Sequence, residues 1–230
     1  MNRFDSYFSY VQNVLQCEGV KISDLAREYG TPLYVYSERG FKERYRELDS
    51  ALSGIDHLIC YSIKTNFNLA VVRLMGSLGS GADVVSGGEL FRALKVGIAP
   101  EKIVFAGVGK TGEEIEYAID SGILMFNCES FQEIEAIEQI SAAKGKKTGI
   151  AIRVNPDVDA ETHHYITTGK KENKFGITIQ QLMEFLPRLK DLRNVVFRGI
   201  HGHIGSQITS FEPYLKTADK FIALIGELKR

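Results

Sequence analysis

Lys64 stands in the stretch CYSIKTN, where an apolar run ends and a helical pattern is about to begin. A primary amine in such a place is either a solvated cation or a nucleophile able to form an imine with a carbonyl group. Other polar residues recur at similar points along the chain: Asp83 and Ser86, Asn127, Arg153 and Asn155, then His201, His203, Gly205 and Ser206. Several have plain structural uses, and Arg153 could simply be one half of an ion pair with Asp83 or Glu89. His201-x-His203 puts two imidazoles on one strand face, as in some zinc or iron sites. The remaining histidines, His57 and His163–His164, are badly placed, no carboxylate stands at ligand spacing, and no metal is expected. The turn HIGSQ (203–207) offers backbone N–H groups and a hydroxyl to an anion, typically a phosphate.

The elements that must position these groups alternate in type. Apolar runs suited to strands occur at 57–64, 81–86, 102–107, 123–128, 148–155 and 195–204. Helical periodicity appears near 38–52, 67–78, 87–97, 111–121, 129–144, 178–189 and 211–229. Strands alternating with helices imply a parallel sheet with right-handed crossovers. Six consecutive units without a reversal favour a (β/α) barrel over a doubly wound sheet. The polar residues above then fall at the carboxyl ends of strands, where barrels carry their chemistry. Period-2 geometry puts Lys64 on one face with Ser62 and Cys60, and Arg153 with Ala151 and Gly149. Large aliphatics would face the helices, and small residues would line the interior beneath the charged ones, leaving room for something flat. The opening 36 residues do not follow this rhythm, and GTPLYVY reads as a strand outside the barrel.

A full barrel needs eight strands and about 250 residues. Six units here leave two parallel edges open, a hazard for aggregation, so the expectation is a barrel truncated after about six of eight units. The loop 156–177 is long for a βα connection. Lys170, Lys171 and Lys174 make it basic, which suits either a lid over an anionic ligand or a solvated loop.

At 230 residues with net charge −1 and both signs interspersed, nothing suggests nucleic acid or an anionic membrane as a partner. No signal peptide and no span-length apolar stretch is visible. Three unclustered cysteines, Cys17, Cys60 and Cys128, give neither a disulfide framework nor a zinc motif. A cytoplasmic protein is the simplest expectation.

An amine, an imidazole and a phosphate-suited turn around a mouth lined by small residues would together serve a flat, phosphate-bearing cofactor held as an imine. Pyridoxal 5'-phosphate (PLP) has that chemistry. The motifs carry a resemblance. YSIKTN is similar to the Y-A-[VI]-K-A-N of the diaminopimelate decarboxylase family, within the alanine-racemase-like (fold type III) PLP enzymes, departing at Ser62 and Thr65. EGVKISDLAREYGTPLYVYS, GADVVSGGEL, THHYITTGKKENKFGI and HGHIGSQI resemble further motifs of that family in the same order, so the likeness covers nearly the whole chain as the N-terminal part of such an enzyme.

The resemblance implies a PLP-binding (β/α)8 barrel over 37–230, truncated, and a segment 1–36 that associates with a C-terminal β-domain outside this chain. It implies Lys64 as the imine-forming lysine, its pKa lowered by desolvation among cations, and His203 as the imidazole against the cofactor ring. Gly205 and Ser206 would contact the phosphate, and Asp83, Glu89 and Arg153 would form the polar network beside the cofactor. The implied reaction is decarboxylation of meso-2,6-diaminopimelate to L-lysine by a homodimer. A glycine-rich phosphate loop, a glutamate for the ring nitrogen and the groups that read the substrate would lie beyond this chain, which alone is expected to be inactive. Ornithine or arginine decarboxylases, racemases and non-catalytic PLP-binding proteins are the alternatives.

Overall fold

The computed structural model describes residues 7–156, 175–206 and 208–229. The chain opens with a small antiparallel sheet, β1 (Phe8–Val11), β2 (Val14–Cys17) and β3 (Val20–Lys21), followed by the helix α1 (Ile22–Tyr29). The β1–β2 turn places Gln12 and Asn13 at positive φ, and the β2–β3 turn does the same with Glu18 and Gly19. Two such residues match the twist of a tight hairpin. GTPLYVY, expected as a strand that pairs outside the barrel, forms no ladder among the described residues: Tyr34 and Tyr36 are exposed, and the paired residues of this segment lie upstream.

From Ser37 onward the alternation is regular. It runs α2 (Glu38–Ala51), β4 (Cys60–Ser62), α3 (Leu69–Ser77), β5 (Gly81–Val84), α4 (Gly87–Lys95), β6 (Ile103–Phe105), α5 (Gly112–Ser121) and β7 (Met125–Cys128). It continues with α6 (Phe131–Ala143), β8 (Thr148–Arg153), α7 (Ile179–Asp191), β9 (Val195–His201) and α8 (Glu212–Leu228). The six strands β4 to β9 are all parallel and stand in sequence order. A doubly wound sheet reverses that order at its switch point; a consecutive order is that of a barrel wall.

The outward face of this wall is the core. Val84, Phe105, Phe126, Ile150 and Ile152 are almost completely buried against Leu90, Ile134, Ile137 and Leu182 of the helices. Ser86, Thr111, Ser130 and Thr178 each cap the helix that follows, accepting a hydrogen bond from the third helical N–H. The caps after β5 and β7 allow very short strand-to-helix turns at the mouth, so the groups there are fixed by rigid elements.

Candidate functional site at the mouth of the barrel wall

A cavity of about 490 Å³ opens at the carboxyl ends of the strands, lined among others by Cys60, Lys64, Asp83, Asn127, Arg153, His201 and His203. Polar residues read from the sequence as strand-end groups therefore do meet in one place. Val104, Ala106 and Gly107 supply the small and apolar parts of its wall. Beneath Arg153 the expected free space is taken up: a Cβ at Gly149 would lie 2.5 Å from the Leu124 carbonyl oxygen and 2.6 Å from Arg198 Nε, so the glycine makes way for backbone and an arginine and not for a ligand.

Lys64 reaches the mouth by a route that period-2 reasoning did not contain. The strand ends at Ser62, and Ile63–Thr65 form a single 3-10 turn. Thr65 Oγ1 donates to the Ser62 carbonyl at 2.7 Å, drawing the backbone out of the ladder. Ile63 is thereby fully buried while Lys64 is exposed at the cavity rim.

On β5, Asp83 accepts a hydrogen bond from Ser62 Oγ at 2.9 Å. Burial raises its carboxyl pKa, against the opposing pull of that hydrogen bond and of Lys64, His203 and Lys110. Glu89 does not line the cavity. Its carboxylate accepts from Val85 N–H at 2.9 Å, and its own N–H donates to Ser86 Oγ, so it braces the turn behind Asp83.

Arg153 corrects the expected ion pair. Its partner is Glu129, at 2.7 Å, and neither Asp83 nor Glu89. Strand order explains this: Asp83 is three strands away on β5, whereas Glu129 directly follows β7, the neighbour of β8. Arg153 also lies over the ring of Phe175. Beyond Arg153 the chain is pinned where it returns from the long loop: Ile177 N donates to Arg153 O and Asn155 N to Ile177 O, both at 2.9 Å. Gly176 makes this possible with φ 89°, because a Cβ there would lie 2.7 Å from Arg153 O. The rest of that loop, with His163–His164 and the three lysines, lies outside the described residues, as does Gln207.

The two histidines differ. His201 lies opposite Arg153 in the β8–β9 register. Burial first, then the Arg153 charge, lowers its pKa to about 4. His203 sits past the strand end at the rim and is lowered by the same two causes and by Lys64. Gly205 and Ser206 lie further along this turn, outside the cavity lining, and the next helix starts only at Glu212. Among the described residues, no helix N-terminus stands directly behind the Gly-Ser turn.

Sequence reasoning missed Glu129 and Lys110. Glu129 is two residues past Asn127 and so on the same face, a signal that was legible once the strand was extended by one step. Lys110 gave none, being an ordinary loop lysine until folding buries its side chain to 1% exposure against Glu133. Three buried polar atoms have no protein partner among the described residues: Asn127 Oδ1, Glu129 Oε2 and His201 Nδ1. Such atoms are costly in a finished core. Beside a cavity that also presents Lys64 and Arg153, they fit a polar, anionic, ring-sized group.

A family model described as the pyridoxal binding domain of pyridoxal-dependent decarboxylases matches residues 38–230. The chain is 48% identical over 228 residues to the diaminopimelate decarboxylase of Aquifex aeolicus, covering 99% of this chain and 54% of the relative. It is 44% identical to that of Pseudomonas aeruginosa, covering 96% and 53%. A crystal structure of the M. jannaschii diaminopimelate decarboxylase in complex with L-lysine superposes with a TM-score of 0.90 at 36% identity, over 98% of this chain and 54% of that one. The chain thus spans about half the length of the curated relatives it matches.

Proposed function

The chain belongs to the pyridoxal-dependent decarboxylases, and on that premise we propose that it forms the cofactor-binding part of a diaminopimelate decarboxylase, which converts meso-2,6-diaminopimelate to L-lysine and CO2. The observation that carries the reading is the convergence of Lys64, Asp83, Arg153 and His203 on one cavity. Relatives bearing that enzyme name match nearly the whole chain, and one of them holds L-lysine, the expected product.

PLP is the cofactor of this family, and when bound it supplies an electron sink for the pair released with CO2. The residues present are suited to hold it. Lys64 offers an exposed amine at the rim for covalent attachment and, once displaced by the substrate amine, a group that can carry a proton. His203, held neutral by burial and the neighbouring cations, would support the ring. Arg153 brings a positive charge already oriented by Glu129, and Asp83 a carboxyl oriented by Ser62. Gly205 and Ser206 would take the phosphate, and Glu89 would act through the turn it braces.

We assign 37–230 to the cofactor-binding barrel and 1–36 to a segment that docks with a C-terminal β-domain. Tyr7 reaches Glu43 and Glu18 receives the Arg39 N–H, so this segment is anchored at the start of α2. A homodimer in the cytoplasm is the matching assembly and setting; no helix among the described residues is long and apolar enough to cross a membrane. The test is turnover. With PLP, the complete enzyme should release CO2 and L-lysine from meso-diaminopimelate, and this chain alone should show no turnover. Ornithine or arginine as the preferred substrate would overturn the assignment, and CO2 release by the 230-residue chain would overturn its expected inactivity.

A further inference from the structure

The charges behind the cavity form a continuous chain. Lys110 Nζ is enclosed by Glu133 Oε1 at 2.6 Å, the Gly107 carbonyl at 2.7 Å and the Asn127 carbonyl at 3.0 Å. The other oxygen of Glu133 accepts the backbone N–H of Glu129 at 2.8 Å, fixing the turn from which that side chain projects. Glu129, 8% exposed, then holds Arg153 at 2.7 Å by one oxygen, and the other has no partner among the described residues. Extending the β7–β8 register by one step brings Glu129 opposite Arg153, and Arg153 stands opposite His201. A carboxylate, a guanidinium and an imidazole thus stand in one row across three adjacent strands.

A buried ion pair is weak evidence for stability, since burying two charges is itself costly, but it fixes direction well. Arg153 is a long side chain at a cavity wall, and without an anion its guanidinium would swing to solvent or into the cavity. We propose that Glu129 is a positioning residue: it sets the guanidinium of Arg153 for the anionic cofactor, and the Lys110–Glu133 pair holds Glu129 in place. Lys110 and Glu133 stay behind the wall, balancing charge and touching no ligand.

This inference rests on PLP occupying the cavity, and the experiment separates the two. PLP binding to the complete enzyme is titrated by visible absorbance in the wild type, Lys64→Ala, Glu129→Gln, Glu129→Ala, Arg153→Ala and the double variant Glu129→Ala/Arg153→Ala. In parallel, the His203 ring is titrated by NMR without cofactor, and urea unfolding reports which variants remain folded. Wild-type binding that is lost in Lys64→Ala supports the cofactor reading. Glu129→Ala should then weaken binding roughly tenfold, Glu129→Gln less because it keeps an acceptor, and the double variant no more than Arg153→Ala alone. The His203 midpoint should fall in Glu129→Gln, because the carboxylate raises it. Lys64-dependent binding that is unchanged in both Glu129 variants, with an unmoved His203 midpoint, would overturn the positioning role while leaving the cofactor reading standing. Absent or Lys64-independent binding in the wild type would overturn both.

Discussion

His201 and Asp83 face the same cavity, and burial moves both toward their neutral forms. For His201 the ordinary value of 6.5 drops to about 4, so over that interval the unfolded chain holds a proton that the folded chain does not. Stability is then lost as pH falls through the interval, by ~3 kcal/mol at its acid end for this residue. Asp83 works the other way at the acid end, because its raised carboxyl is protonated more readily in the fold. Urea midpoints should therefore decline from neutral pH toward about 4, less steeply in His201→Gln than in the wild type. Lys110 makes a second residue-scale case. Lys110→Met leaves Glu133 buried without its cation, which should destabilise the chain by roughly 3–5 kcal/mol. Lys110→Met/Glu133→Leu should recover only part of that in urea unfolding, since the apolar pair removes the stranded charge but leaves the Glu129 N–H and the Gly107 and Asn127 carbonyls without their partners.

Elements decided what the residues could do, and here the alternation in the sequence was informative. Helices α2 to α8 fall within a few residues of their periodic signals, because each needs an apolar stripe against the wall and most announce themselves with a Ser, Thr or Asn cap. Local breaks were less legible. The 3-10 turn at Ile63–Thr65 depends on one hydroxyl bonding back to Ser62, a choice that composition does not reveal. The pairing of Arg153 with Glu129 required knowing which strands are neighbours, and the burial of Lys110 required three separate elements to converge. Gly176 belongs at this scale too, because its positive φ and its close approach to Arg153 tie the end of β8 to the returning chain. Gly176→Ala should cost roughly 1–3 kcal/mol in thermal unfolding, and PLP affinity should fall with it, since Arg153 must shift to admit the methyl group. Unchanged melting would show that this contact relaxes freely.

At the scale of the whole molecule, the wall is open on both sides. Among the described residues, β4 and β9 each have a strand on one side only. Apolar side chains are exposed toward both ends of the wall: Leu48, Ile55 and Leu58 near β4, and Val196 with Leu215, Ile222 and Ile225 of α8 near β9. Patches of this kind favour association. The isolated chain should sediment as concentration-dependent oligomers, and Leu215→Lys/Ile222→Glu should shift it toward the monomer; a monomer at all concentrations would show that these edges are harmless. The consecutive strand order also gives the cavity a history. A ribosome delivers its wall in spatial order, with Lys64 on the first strand unit and His203 just past the last. The Lys64 amine therefore emerges long before the imidazole that shares its cavity. The imidazole can meet the amine only after β9 has folded onto β8, so this cavity is completed by the last of the six strands described.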